Sequence, residues 1–465
     1  MSAQVSFLDG TLSLIHIPLD LYPSLLQPIL KVLLPPSQNP SQCATGEYTI
    51  TDHNNGFLNI SVTPVECSIV CNSVWASSVF EPAIKRLPKD QAKTVAISRD
   101  TYIALSVYGT DMDAGSRVAE LTSPLALANI PIFFITTYYS DFILVPTKDR
   151  AAVVKTLLFR NFVFSDDDHA QLVSTNPSSP ISTSTRHQYF DLGFGHARAG
   201  RTSPDDPNLS PADQNPPSLP STADIVNDLQ QRTFDLLKRR HVTPRIEPGL
   251  TLVQCSGIRG AVTPSSHVVR SRRGSGAING GTGAGGAAGG SSGAGDGYAT
   301  AGPSWVDTVD TKLYTSIVAA LVAQPRFLSV TLAQEDPPSL LVDRALLRVF
   351  GDALVGPLGE ARWDGGGEED DNGEALVPIF LDLADLPFEA TGIVSGVAGR
   401  LVKELNAAAG AGGKGGAGLG VGVGVGADLS YLSTARAGAV ILGRQQVGVA
   451  LGVLRPLLSG EEEGS

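Results

Sequence analysis

Among the residues able to do chemistry, Cys67 and Cys71 lie closest together, in the apolar run Val65-Glu66-Cys67-Ser68-Ile69-Val70-Cys71, with Cys43 and Cys255 standing apart. Four cysteines in 465 residues make no disulfide framework, and the spacing offers no CxxC pair for zinc. Thiols in an apolar run behave as small hydrophobes, and a reducing compartment is expected. The 7 histidines show neither HExxH nor His-Cys spacing, so no metal site is expected. Two stretches match GxGxxG, at Gly281, Gly283, Gly286 and at Gly410, Gly412, Gly415. A dinucleotide fingerprint follows a strand, opens a helix and has an acidic residue some twenty positions on. Neither stretch does, and Lys414 completes no P-loop. With no GxSxG and no Cys-His pairing in local context either, no enzyme, catalytic residue or cofactor is expected.

Charge narrows the partners. The chain carries 34 Lys+Arg against 46 Asp+Glu, a net charge of −12. Nucleic-acid binding needs a basic stripe. The short cluster Arg270, Arg272 and Arg273 sits in a Gly/Ser-rich tract and reads as a solvated linker or a kinase recognition site around Ser271 or Ser275. No run reaches 18 apolar residues, the best candidate, Leu19 to Leu34, being broken by Asp20, Pro23, Gln27, Pro28 and Lys31. No membrane span is expected, and Met1 to Gly10 lacks a secretory pattern, so cytoplasm is the expected location.

The elements that must position any site lie between low-complexity tracts. The 50 Gly and 31 Pro concentrate in 166–222 (Ser/Pro/Asp), 257–303 (Gly/Ala/Ser), 362–374 (Gly/Glu/Asp) and 406–427 (Gly/Ala/Val). Such tracts bury too little apolar area to offset ordering entropy and read as disordered linkers and loops. Between them the pattern predicts strands over Thr11–Ile17, Tyr48–Thr51, Phe57–Val62, Tyr102–Tyr108, Ile130–Thr137, Asp141–Val145 and Leu250–Cys255, with helices over Leu19–Leu34, Ser116–Ala128, Arg150–Phe162 and Ile225–Arg240.

The C-terminal part repeats this order, with strands Val377–Leu383, Leu429–Thr434 and Ala439–Leu442 and helices Thr391–Leu405 and Gln446–Leu457. Phe134-Ile135-Thr136-Thr137 aligns with Tyr431-Leu432-Ser433-Thr434, and Phe142-Ile143-Leu144-Val145 with Ala439-Val440-Ile441-Leu442, across the same four-residue gap. Tract 406–427 accounts for nearly all the extra length of the second copy and reads as an inserted loop. The expected fold class is α+β: tandem ferredoxin-like βαββαβ units, two per half, each packing two helices on one face of an antiparallel sheet.

The residues Ile132–Val145 resemble a segment of the cytosolic arginine sensor (CASTOR) family, whose members carry tandem ACT domains. Tyr431-Leu432-Ser433-Thr434 is similar to that family's matching strand, and Glu389–Val394 with Ala398-Gly399 to its ligand loop and helix. The chain is on this basis identified as a divergent, fungal-type member. The resemblance implies ACT-like units over 1–90, 91–165 (with a closing strand at 250–256), 304–361 and 375–458, with linkers at 166–222 and 257–303, a helix plus strand at 223–256, an acidic loop at 362–374, the insert 406–427 and an acidic tail at 459–465. It implies an amino acid bound between the second and fourth units and relayed to a GATOR-type complex upstream of TOR complex 1. By position, Ile132, Gly392, Ile393, Val394 and Thr434 fall in the ligand pocket. Two residues depart from the pattern: Pro131 replaces a serine, and Gly438 replaces an aspartate.

A free amino acid needs a complement for its carboxylate, its ammonium and its side chain. The N-terminus of the 391–405 helix, opened by Thr391-Gly392-Ile393, suits the carboxylate. Without an aspartate at Gly438 a guanidinium lacks a partner, unless Asp385 or Glu389 supplies one, so arginine is not the favoured ligand. The expected function is therefore a non-catalytic, amino-acid-binding regulatory protein, with homodimerisation compatible. A second reading is a ligand-free interaction scaffold of the same units, regulated through its linkers.

Overall fold

The computed structural model describes residues 4–34, 56–108, 114–164, 222–257, 311–333, 336–356, 375–412 and 429–459. Its framework is twelve strands: β1 (Leu12–Ile17), β2 (Phe57–Val62), β3 (Cys67–Asn72), β4 (Tyr102–Tyr108), β5 (Phe133–Thr136), β6 (Asp141–Pro146), β7 (Leu252–Gly257), β8 (Leu328–Ala333), β9 (Ser339–Asp343), β10 (Leu376–Asp382), β11 (Leu429–Ser433) and β12 (Ala437–Gly443). Antiparallel pairing runs β1-β3-β2-β8-β9-β7-β10-β12-β11-β5-β6-β4 and back to β1, a closed barrel. Short strands flank the ring; Gln4–Phe7 pairs with β4 and, in parallel, with Val163–Phe164.

Side chains alternate across each strand and so serve two layers. On β4, Tyr102 and Ala104 face a core shared with Leu14, Phe57, Phe133, Phe142, Phe327, Phe380, Leu432 and Ile441, which fills the barrel. Ile103, Leu105 and Val107 of the same strand face outward. There they meet helices α2 (Ala114–Leu127), α3 (Arg150–Phe159), α4 (Thr222–Arg239), α6 (Ile393–Gly412) and α7 (Val447–Ser459). On the opposite side α1 (Tyr22–Leu33), α5 (Thr311–Val322) and the helical turns of 73–84 cover β1, β2, β3, β8 and β9. The Tyr22 hydroxyl donates to the Leu321 carbonyl at 2.7 Å, tying α1 to α5.

The tandem ferredoxin-like arrangement expected from the element order does not occur. The local β-α-β-β-α sequence is present, but its strands join edge to edge into one closed twelve-stranded antiparallel barrel instead of separate sheets with one open face. An open sheet would leave the apolar inner face and unpaired strand edges in water, and closure buries both. The strand Leu252–Gly257 does not close the first half as expected. It pairs with β9, β10 and Leu354–Val355, while Val163–Phe164 takes the edge beside Gln4–Phe7.

The joints around the ring are unequal. Between β2 and β8 the ladder has six residue pairs, Val62↔Leu328 to Phe57↔Ala333, and its inward hydroxyls and amide form a buried network. Asn59 Nδ2 donates to Ser329 Oγ at 3.2 Å and Thr331 Oγ1 at 3.0 Å. Between β5 and β11 a single pair remains, Ile135↔Leu432. Beyond it side chains replace the ladder: the Phe134 N–H donates to Ser433 Oγ (2.9 Å) and the Tyr431 N–H to Thr136 Oγ1 (3.0 Å).

The boundary of the 406–427 insert also moves. α6 continues to Gly412, because Ala407, Ala408 and Ala409 favour the helix more than the flanking glycines oppose it. The strand expected at Tyr48–Thr51 and the tracts 166–221, 258–310, 362–374 and 413–427 lie outside the described residues, as does the tail beyond Ser459. The buried-thiol expectation holds for Cys67 and Cys71, and Cys255 is buried as well; burial pushes Cys71 and Cys255 up to about 12 and Cys67 higher still.

Candidate ligand crevice

The single-pair joint between β5 and β11 opens onto a crevice of about 50 Å³. Three segments wall it: Ile132 and Phe133 entering β5, the loop from Leu383 to Ala390 leading to the start of α6, and Tyr431, Ser433, Thr434, Ala435 and Ala437 on β11 and its turn. All five residues singled out from the sequence, Ile132, Gly392, Ile393, Val394 and Thr434, line it together. Asp385 and Glu389 are exposed and do not line it, so they are solvated loop acids. No charged side chain is among the lining residues.

Gly392 sits at φ +82°, a left-handed backbone that only glycine adopts without strain, and this turn starts α6. A Cβ there would also lie 3.0 Å from Thr233 Oγ1 on α4. The first helical bond is Gly396 N–H to the Gly392 carbonyl at 2.7 Å, which leaves the N–H groups of Ile393, Val394 and Ser395 without an intrahelical acceptor. Thr233 Oγ1 donates to the Leu229 carbonyl (2.9 Å) and lies 3.2 Å from that of Gly392, so α4 braces the turn.

Tyr431 is one of the lining residues that the sequence reading left out of the pocket. It is 1% exposed, and its hydroxyl, among the described residues, has no hydrogen-bond partner. Burial pushes the phenol above its ordinary range, so the group stays protonated and able to donate. A Cβ at Gly438 would lie 2.5 Å from Tyr431 Oη. The phenol therefore fills the space a side chain at 438 would take. This trade is visible in the aligned copies: Phe134 and Asp141 in the first correspond to Tyr431 and Gly438 in the second.

The rim is pinned from outside. The Arg436 carbonyl accepts from the Leu383 N–H at 2.8 Å, its guanidinium donates to the Ala384 carbonyl at 3.0 Å, and its Cζ stands 4.6 Å over the Phe388 ring. Beneath the turn the Thr434 hydroxyl donates to Glu66 Oε1 at 2.6 Å. The arrangement offers backbone donors, three hydroxyls and apolar walls, which fits recognition of a small zwitterion or carboxylate. Among the described residues no cluster of His, Cys, Asp and Glu could hold a metal, and no helix is long and apolar enough to cross a membrane.

Residues 97–158 match the ACT domain family, a span covering β4, α2, β5, β6 and most of α3. No curated protein matches the chain. Two solved structures are similar to it over different shares of the chain. The Agrobacterium tumefaciens protein Atu0741 is 19% identical over 36% of this chain and 93% of its own, with a TM-score of 0.22. The aspartate kinase from Synechocystis is 9% identical over 99% of this chain and 57% of its own, with a TM-score of 0.26.

Proposed function

We propose that this chain is a non-catalytic regulatory protein that binds a free amino acid in the crevice between β5 and β11. The observation that carries this reading is the Tyr431 hydroxyl, buried with no partner among the described residues, in a crevice also lined by the start of α6, whose first N–H groups lack an intrahelical acceptor. An unsatisfied buried hydroxyl costs about 1–3 kcal/mol, which a ligand carboxylate accepting from it removes. The ACT match at 97–158 supports the same reading, since it covers the β5 wall of the crevice. The carboxylate takes the α6 N-terminus and Tyr431 Oη, the ammonium takes Ser433, Thr434 and backbone carbonyls, and the side chain meets Phe133, Leu386 and Phe388. Apolar walls without a carboxylate select a small neutral amino acid and disfavour arginine. A crevice of about 50 Å³ holds about three to five waters at roughly 10–15 Å³ each, so all but the smallest ligands displace the half-exposed loop 383–390.

The finer role follows from the family resemblance of Ile132–Val145: a cytoplasmic nutrient signal passed through a GATOR-type complex to TOR complex 1. A thermal-shift screen of the full chain against the twenty amino acids tests the ligand. At 100 times its dissociation constant a binder stabilises the native state by about 2.7 kcal/mol. Shifts with leucine, valine or isoleucine and none with arginine are expected; flat curves for all twenty would leave the scaffold reading in place.

A further inference from the structure

Glu66 is a fully buried carboxylate that plays no part in ligand contact as described above. It ends the turn Thr63–Glu66 between β2 and β3, on the opposite side of the barrel from the strands of the crevice. Its Oε1 accepts from Thr434 Oγ1 at 2.6 Å and from the Arg436 N–H at 2.5 Å, and its Oε2 lies 2.5 Å from His16 Nδ1 on β1. Two residues along, Ser68 Oγ accepts from the Ala435 N–H at 3.0 Å. Three consecutive residues of the crevice turn are thus held by the N-terminal part of the chain. Arg436 in turn pins Leu383, Ala384 and Phe388 of the outer wall.

We infer that Glu66 is the positioning residue of the ligand crevice, and that it couples occupancy of the crevice to the docking of the N-terminal strands β1–β3. This rests on the reading of the crevice as an amino-acid site. A carboxyl group removed from water at this depth is held only where hydrogen-bonding partners face it, and two of those partners belong to the rim turn. Turn and carboxylate are consequently ordered together. A ligand that needs the turn in place strengthens the Glu66 contacts, and by reciprocity an undocked N-terminal part weakens the ligand.

The test compares the full chain with Glu66→Gln, Glu66→Ala and Ser68→Ala. Hydrogen exchange of the 429–443 segment is read without ligand, and L-leucine affinity is read by calorimetry. Glu66→Ala is expected to speed exchange of that segment and to weaken L-leucine by about tenfold, within the usual range of coupling between sites. Glu66→Gln keeps the acceptor for Thr434 and Arg436 and should stay near wild type in both readings. Unchanged exchange in Glu66→Ala, equal behaviour of the Ala and Gln variants, or loosened exchange with unchanged L-leucine affinity would each overturn the inference. Should Glu66→Ala fail to fold, Ser68→Ala, which removes only the hydroxyl facing Ala435, must by itself speed exchange at that turn. If the wild type binds none of the twenty amino acids, the site reading falls, and the exchange comparison still decides whether Glu66 positions the turn.

Discussion

Ile135 and Leu432 hold the same place in the two internal copies, and they are also each other's partner across the barrel. A local two-fold axis therefore passes between them. The two substitute hydrogen bonds on either side, Phe134 to Ser433 and Tyr431 to Thr136, are exchanged by the same axis. Because pairing stops after one residue, the strands diverge there and leave room for the crevice.

Both members of that pair are buried in the barrel core. Ile135→Ala and Leu432→Ala should each cost about 2–5 kcal/mol in urea denaturation. The double variant should depart from additivity by about 0.5–3 kcal/mol, since the two sites touch. Strict additivity would mean that the joint is not a packed contact.

Tyr431→Phe removes a hydroxyl that has no partner among the described residues and, on the proposed reading, one hydrogen bond to the ligand. Stability without ligand should hold or rise, by up to about 1–3 kcal/mol, while affinity for the amino acid found by screening falls about tenfold. A simple loss of stability with unchanged affinity would show that the phenol serves packing alone.

α4 lies close against α6 at Gly396. A Cβ there would meet Thr233 Cγ2 at 2.7 Å and Thr233 Cβ at 2.8 Å. Gly396→Ala should therefore destabilise by about 1–3 kcal/mol through overpacking, against the small gain that alanine usually brings inside a helix. Thr233→Ser in the same background should recover part of the loss in a thermal melt.

Asp141 is 1% exposed, and burial raises its carboxyl above the ordinary value of 3.8, the Arg117 guanidinium at 2.9 Å only partly opposing this. A raised folded-state value means that the native state binds the proton more tightly. Its contribution to stability is full below about pH 3.8 and is lost as the pH rises through the shifted value, with a slope approaching about 1.4 kcal/mol per pH unit. Asp141→Asn should lose this decline when melting is followed from pH 4 upward. A variant whose stability falls with pH as steeply as wild type would remove Asp141 as its source.

The sequence by itself determined many of the local elements and the duplication that equates Phe134–Thr137 with Tyr431–Thr434, and the resemblance carried by its short motifs named five residues that line one crevice. Each of these rests on period, turn chemistry or short motifs, whose causes lie within a few residues. Tertiary structure alone decided the closure of the barrel. Whether a strand edge stays open depends on a partner that can lie far along the chain, as β2 does from β8, where Asn59 meets Ser329 across 270 residues. It alone also decided the roles of Tyr431 and Glu66. A tyrosine in a strand reads as packing, and an acid beside a turn reads as solvated. Only the ring's register leaves one hydroxyl without a partner and surrounds one carboxylate with donors.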